Sequence, residues 1–429
     1  MNKLPKGILV LGFVSFFTDL SSEMIYPLLP VFLSSVLGAG ALALGLIEGT
    51  AESTASFFKV LSGYSTDRTE RRKPFIIAGY GMSGLARPLI AFAAGWPFVL
   101  VMRFLDRMGK GIRTSPRDAL VADITQRGQR GQRGVAFGLH RAMDHAGAVA
   151  GPLVAAAMLG FAALSLRHVF FLAAIPSVLV MAIILFFVKE PAPKAIKIDR
   201  PLNIYSQWKH LGRSFKYFLA AMLLFTLGNS TDAFMILRLS NAGISASHIA
   251  MLWSAHNVIR MISTYTGGRL ADGFGSRKLI ISGWIFYALI YAAFAFIRTP
   301  NALVAIFLLY GVYVGLSEPA EKSLVADMVA PNLRGTAFGC YHFIVGIGAL
   351  PASIVFGFLW QTLSAEAAFL TGAALAVAAS TLLFLSQKPE VESGMVETGG
   401  QVSEIECIRS DVEDRSKQKG RSVGPASRP

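Results

Sequence analysis

The chain is short of charge. Acidic and basic side chains make up 15% of its 429 residues, against about 25% in a soluble protein. With 53% hydrophobic residues and a mean hydropathy of +0.53, it carries more apolar surface than a globular interior can hide. A water-soluble fold is excluded, and the bilayer is the natural solvent. Cysteine is almost missing too. Cys340 lies in an apolar run and Cys407 in a polar tail, so neither a disulfide framework nor a thiolate metal site is expected. Nucleophile–base arrangements are lacking. Met108-Gly-Lys-Gly111 does not continue into a phosphate-binding fingerprint. His140 and His145, five apart, point different ways. The expectation is a protein that is not an enzyme and holds no cofactor and no metal.

What charge there is forms punctuation. The net charge of +14 would suggest nucleic acid in a soluble protein, but here the cations sit between apolar runs and read as topology signals. Spans of roughly 20 apolar residues predict helices near 7–37, 41–63, 74–94, 97–119, 134–161, 168–189, 215–239, 246–267, 279–298, 301–325, 335–361 and 366–386. The fold class is all-α and polytopic, with about twelve membrane helices. The first apolar run is too long for a signal peptide of roughly 7–15 apolar residues and reads as a retained helix. Loops rich in Arg and Lys, such as Arg68 to Lys73, Arg127 to Arg133 and Arg277-Lys278, put both termini in the cytoplasm.

The chain also repeats itself. Gly63-Tyr-Ser-Thr-Asp67-Arg68 to Lys73 returns as Gly268-Arg269-Leu-Ala-Asp272 to Lys278. Leu120-Val-Ala-Asp123 returns as Leu324-Val-Ala-Asp327, and Arg133 to Gly138 as Arg334 to Gly339. The offset is roughly 205 positions each time, as in parallel transporter repeats. This divides the chain into a six-helix bundle over 1–190, a cytoplasmic linker over 191–214, a second bundle over 215–387 and a disordered cytoplasmic tail over 388–429.

These residues resemble the major facilitator superfamily from the first helix to the last. The duplicated glycine–aspartate–cation stretch is similar to that family's loop between helices 2 and 3 and between helices 8 and 9. Glu70 replaces its usual glycine and Gly273 a usual cation. The resemblance implies a conformational latch made by Gly63, Asp67, Arg68, Arg72, Gly268, Asp272 and Arg277; the plainer reading is that the cations only set topology. The glycines would let helices approach closely. Gly138, Gly147, Gly151 and Pro152 in helix 5 resemble the antiporter motif, with Ala155 and Ala156 where a glycine pair is usual. Ordinary small-residue packing is the alternative. Arg103 resembles the arginine of the fourth-helix motif linked to proton transfer, with Asp106 and Arg107 replacing its glutamine and glycine.

Ionisable residues inside apolar runs are the third signal, since a charge in hydrocarbon needs a cavity or a partner. They are Asp19 and Glu23 in helix 1, Glu48 and Glu52 in helix 2, and Arg103, Asp106 and Arg107 in helix 4. Helix 5 adds His140 and Asp144, helix 7 Asp232 and helix 10 Glu318. Asp19 should lie near mid-membrane, since about eleven residues at 1.5 Å rise cover half the hydrocarbon core. A carboxylate there balances desolvation against attraction to an arginine, so it can load a proton on one side and release it on the other. Asp19 and Glu23 are the expected proton carriers, with Arg103 or Arg107 as partner; a fixed ion pair that orients helices is the alternative. Tyr26, Phe137, Trp253 and Tyr287 are candidate cavity walls. The expected function is proton-coupled efflux of a small organic solute by a monomer in a bacterial-type inner membrane. Import of a metabolite or metal-chelating compound is the alternative, and a membrane sensor or lipid-processing enzyme a remote one.

Overall fold

The computed structural model describes residues 6–69, 72–127, 133–188, 211–329 and 334–386. The tail expected over 388–429, and all of the expected linker except its last few residues, lie outside them. The described residues form 12 helical segments: α1 (Lys6–Val36), α2 (Ala41–Thr69), α3 (Lys73–Phe92), α4 (Trp96–Arg127), α5 (Arg133–Gly160), α6 (Leu166–Phe187), α7 (Arg213–Asn241), α8 (Ala246–Phe274), α9 (Ser276–Phe296), α10 (Pro300–Asp327), α11 (Arg334–Thr362) and α12 (Ala365–Leu385). In the first bundle α1 packs on α5 and α6, α2 on α4, and α3 on α4 and α6. In the second, α7 packs on α11 and α12, α8 on α10, and α9 on α10 and α12. The bundles meet along two seams, α2 against α11 and α5 against α8.

Nine of these segments are long and apolar enough to cross a bilayer by composition. The exceptions, α2, α4 and α8, carry charges that lone helices could not expose to lipid. They find partners on neighbouring helices: Arg103 of α4 binds Glu48 of α2, and Arg260 of α8 binds Glu318 of α10. A hydropathy window sees one helix at a time, so it cannot credit such pairing.

The structure corrects the helix ends expected at 63 and 267, which put the Gly63 and Gly268 stretches in loops. α2 runs on to Thr69 and α8 to Phe274, so Gly63, Asp67, Gly268 and Asp272 all lie on helix. Outside the hydrocarbon a helix needs no apolar residues, so hydropathy stopped it too early. In the second copy Gly275 makes the turn at φ +87°, the left-handed conformation glycine adopts without penalty after a helix.

Helix α7 is not the continuous span expected over 215–239. It breaks between Gly228 and Ala233, where Asn229-Ser-Thr-Asp232 are residues that favour caps over helix interiors. The loosened backbone is held by tyrosines: Tyr287 Oη donates to Gly228 O at 3.1 Å, and Ser230 Oγ lies 3.2 Å from Tyr291 Oη. Irregular backbone at this depth is tolerated only when protein satisfies it.

Candidate functional site

The acids of α1 and the glycines of α5 form one structure. A Cβ built on Gly147 would stand 3.1 Å from Asp19 Cβ and overlap Phe16 O. On Gly151 it would stand 3.0 Å from Glu23 Cβ and 2.7 Å from Leu20 O. The glycines, one helical turn apart, thus seat the two acids, also one turn apart, against the α5 backbone. Both carboxylates remain half-buried rather than sealed. Further down α5, Ser15 Oγ donates to Asp144 Oδ1, and His140 Nδ1 lies 3.6 Å from Asp144 Oδ2. Gly63 departs from its expected packing role. A Cβ there would meet Ser115 at 3.5 Å, an ordinary contact. The side chains of Phe137, Asp67, Arg68 and Asp272, and the surroundings of Gly138 and Gly268, lie outside the described residues.

Arg103 does not partner Asp19 or Glu23. It grips Glu48 through Nε at 3.0 Å and Nη2 at 2.7 and 2.8 Å, and reaches Asp106 at 3.4 Å. Asp106 in turn accepts from Arg87 Nε of α3 at 2.9 Å. All four side chains are at most 5% exposed. Two acids and two arginines cancel, so this is a closed, neutral clamp tying α2, α3 and α4. Burial and balance favour the orienting alternative for Glu48, Arg103 and Asp106. Sequence reading overlooked Arg87, which sits beside Pro88 in a run that looks like ordinary apolar span; only the fold shows that it faces Asp106.

Across the bundles, Trp253 Nε1 of α8 donates to Glu23 Oε2 at 2.7 Å, and the Trp253 ring lies 5.1 Å from that of Tyr26. Nearby, Tyr310 donates to Asp232 at 2.7 Å. Glu318, half-exposed, binds Lys322 at 2.7 Å and Arg260 at 3.2 Å. Glu52 of α2 is exposed on the helix face. The seams use backbone freed by sequence. Pro152 cannot donate to Ala148 O four residues back, and Asn257 of α8 supplies that bond at 3.3 Å. Ser254 adds a bond to Val149 O at 2.9 Å and Ser247 one to Ala156 O at 3.1 Å. On the other seam Ser53 reaches Gly346 O at 2.8 Å, and Leu42 N donates to Gln361 Oε1 at 3.1 Å. The contacts run from mid-helix, at Ser53–Gly346 and Asn257–Ala148, to the helix ends, at Leu42–Gln361 and Ser247–Ala156.

The repeated cations have a use that spacing did not foretell. Lys73 Nζ donates to Val188 O at 2.7 Å, at the end of α6. In the second copy Arg277, one position before the counterpart of Lys73, donates to Leu383 O and Ser386 O at the end of α12, and to Ser386 Oγ at 2.9 Å. Each bundle therefore has a cation on the carbonyl end of its last helix, where the dipole favours positive charge. Arg72 is the N-cap residue of α3. Arg277→Ala should cost about 0.5–1 kcal/mol locally. Amide exchange should then quicken at the end of α12 and stay unchanged in α9; equal exchange at both ends of α12 would refute the cap.

This architecture has relatives. The sequence model of the Major Facilitator Superfamily matches residues 11–241 and 217–413. The chain belongs to that superfamily. It is 34% identical over 389 residues to an uncharacterized MFS-type transporter of Methanocaldococcus jannaschii, covering 89% of this chain and 95% of that one. It is 22% identical over 354 residues to multidrug resistance protein MdtG of Escherichia coli, covering 80% and 85%. Among solved structures, nucleoside transporter NupG superposes with TM-score 0.74 at 15% identity over 89% of this chain and 98% of that one. The bacterial homolog to human lysosomal transporter Spinster superposes with TM-score 0.71 at 15% identity, covering 88% and 96%. The protein is therefore a multi-pass membrane transporter and not an enzyme.

Proposed function

We propose that the protein exports a small organic solute in exchange for protons, as a monomer in a bacterial-type plasma membrane. One observation carries this reading: Asp19 and Glu23 are seated side by side by Gly147 and Gly151, and Glu23 is linked to the opposite bundle through Trp253. A carboxylate that touches both bundles changes its surroundings when they rock, so its proton occupancy and the open side are coupled. Asp144 and His140 form a side branch of the same face. MdtG is named for multidrug resistance, and outward transport is the direction such a name favours.

Both termini are taken as cytoplasmic, because Lys6, Arg72, Lys73, Arg277 and Lys278 gather at the ends of helices on that side. On this orientation the helix-end contacts Leu42–Gln361 and Ser247–Ala156 hold the outer face together. The latch stretch then acts at the inner face, with Lys73 and Arg277 anchoring it to α6 and α12.

The test is transport by inside-out vesicles. Asp19→Asn should abolish solute movement driven by a pH gradient while solute exchange without the gradient persists. Gradient-driven flux equal to that of the unaltered protein would remove Asp19 as carrier. Solute that accumulates in right-side-out vesicles instead would reverse the direction.

A further inference from the structure

Acceptors near the middle of the molecule are largely taken. Glu23 accepts from Trp253 and Asp232 from Tyr310, while Glu48 and Asp106 are held by arginines. Donors are left over. Arg107 Nε is buried and hydrogen-bonds nothing among the described residues. Lys110 lies three residues on, on the same face of α4, and is exposed. Both cations lie within electrostatic reach of Glu23 and Glu52, yet no ion pair joins them among the described residues. A planar guanidinium with a spare edge beside an ammonium is a preformed anchor for a carboxylate.

Across the seam the packing is aromatic. Trp253, hydrogen-bonded to Glu23, stacks on His256 at 5.3 Å, which stacks on Phe307 at 5.0 Å. His256 is 1% exposed and its Nε2 has no partner among the described residues. Cations therefore come from one bundle and flat rings, with an orphan ring nitrogen, from the other. Glu23 bonds to the rings and lies within electrostatic reach of the cations. The neighbouring acids Asp19, Glu23 and Glu52 would repel a dianion such as a phosphate monoester, so a singly charged anion fits best.

We propose that the cations Arg107 and Lys110 and the rings of Tyr26 and Trp253 together bind a planar, ring-bearing carboxylate, its carboxylate on the cations and its ring against the aromatics. The inference rests on the proposed role as a solute transporter.

The experiment uses the purified full chain in detergent and isothermal titration. The probes are benzoate, indole-3-acetate and 2-naphthoate, each matched by its neutral amide and its amine, with acetate as the ringless anion. At least one ring acid should bind about tenfold or more tightly than its amide or amine. Arg107→Gln should weaken that acid about tenfold or more, and Arg107→Lys should restore part of it. Both variants are read only where they elute as single species with an unchanged melting midpoint; a variant that fails this is replaced by Lys110→Gln. Amines or amides binding as well as acids, acetate binding as well as ring acids, no acid binding at millimolar concentration, or an unaffected Arg107→Gln would each overturn the proposal. Counterflow in proteoliposomes separates the two readings. A carboxylate that binds but is not exchanged leaves the anchor standing and sinks the transport role. Exchange of an amine without carboxylate binding does the opposite.

Discussion

Gly147→Leu should stop transport, because the added side chain has no room between α5 and α1. A first carbon alone would overlap Phe16 O and press on Asp19 Cβ and Leu20 N at 3.1 Å. Backbone cannot rotate aside as a flexible side chain can. Overpacking typically costs about 1–3 kcal/mol, and here the yielding element is a whole helix that bears Asp19 and Glu23. Loss should be at least tenfold in flux, even where the protein still inserts and elutes as a single species. Gly81→Ala is the control. Its added carbon would lie 3.8 Å from the end of Met181, in ordinary contact, so flux and melting midpoint should match the parent. Near-normal flux from Gly147→Leu would show that the α1–α5 contact is not needed.

Glu48→Ala should be the most destabilising single change in the first bundle. It strips Arg103 of three bonds and leaves, among the described residues, the 3.4 Å contact to Asp106 and the Tyr26 ring 5.7 Å from its guanidinium. Removing one member of a buried pair costs about 3–5 kcal/mol, because the other charge stays buried and uncompensated. Replacing both members with apolar side chains can be nearly neutral. Thermal unfolding in detergent should therefore drop sharply for Glu48→Ala, and Glu48→Leu combined with Arg103→Leu should recover most of the loss. A single variant that melts like the parent would mean that water reaches Arg103. A double variant as unstable as the single would mean that the pair contributes more than mutual neutralisation. Either variant can also be tested in exchange assays, where a purely orienting clamp predicts that any stable variant keeps proton coupling.

Much of this was written in local pattern. Long apolar runs placed the helices, and the duplicated Gly–Asp–cation stretches revealed two copies of one bundle. Carboxylates one turn apart in such a run marked α1 as special. The helix 5 glycines were legible as packing residues, though not as the seat of those same carboxylates. Partner choice was not legible. Arg103 was expected to partner Asp19 or Glu23, and nothing in one dimension says that Glu48 and Asp106 face it while Asp19 faces Gly147. Arg87 went unnoticed for the same reason. The break in α7 could have been read from Asn229-Ser-Thr-Asp232, a run of capping residues inside an apolar span.

By itself the sequence determined that this is a membrane protein of duplicated bundles, because the cost of exposing backbone and charge to lipid leaves few alternatives for apolar runs of that length. Only the tertiary structure decided which charges are locked and which stay in play. Pairing depends on where neighbouring helices bring their faces together over a few ångströms, and helix periodicity places a residue on its own helix without saying what stands opposite. That is why Glu48 and Arg103 close a neutral clamp, while Arg107, on the same helix as Arg103, keeps a buried Nε that hydrogen-bonds nothing among the described residues.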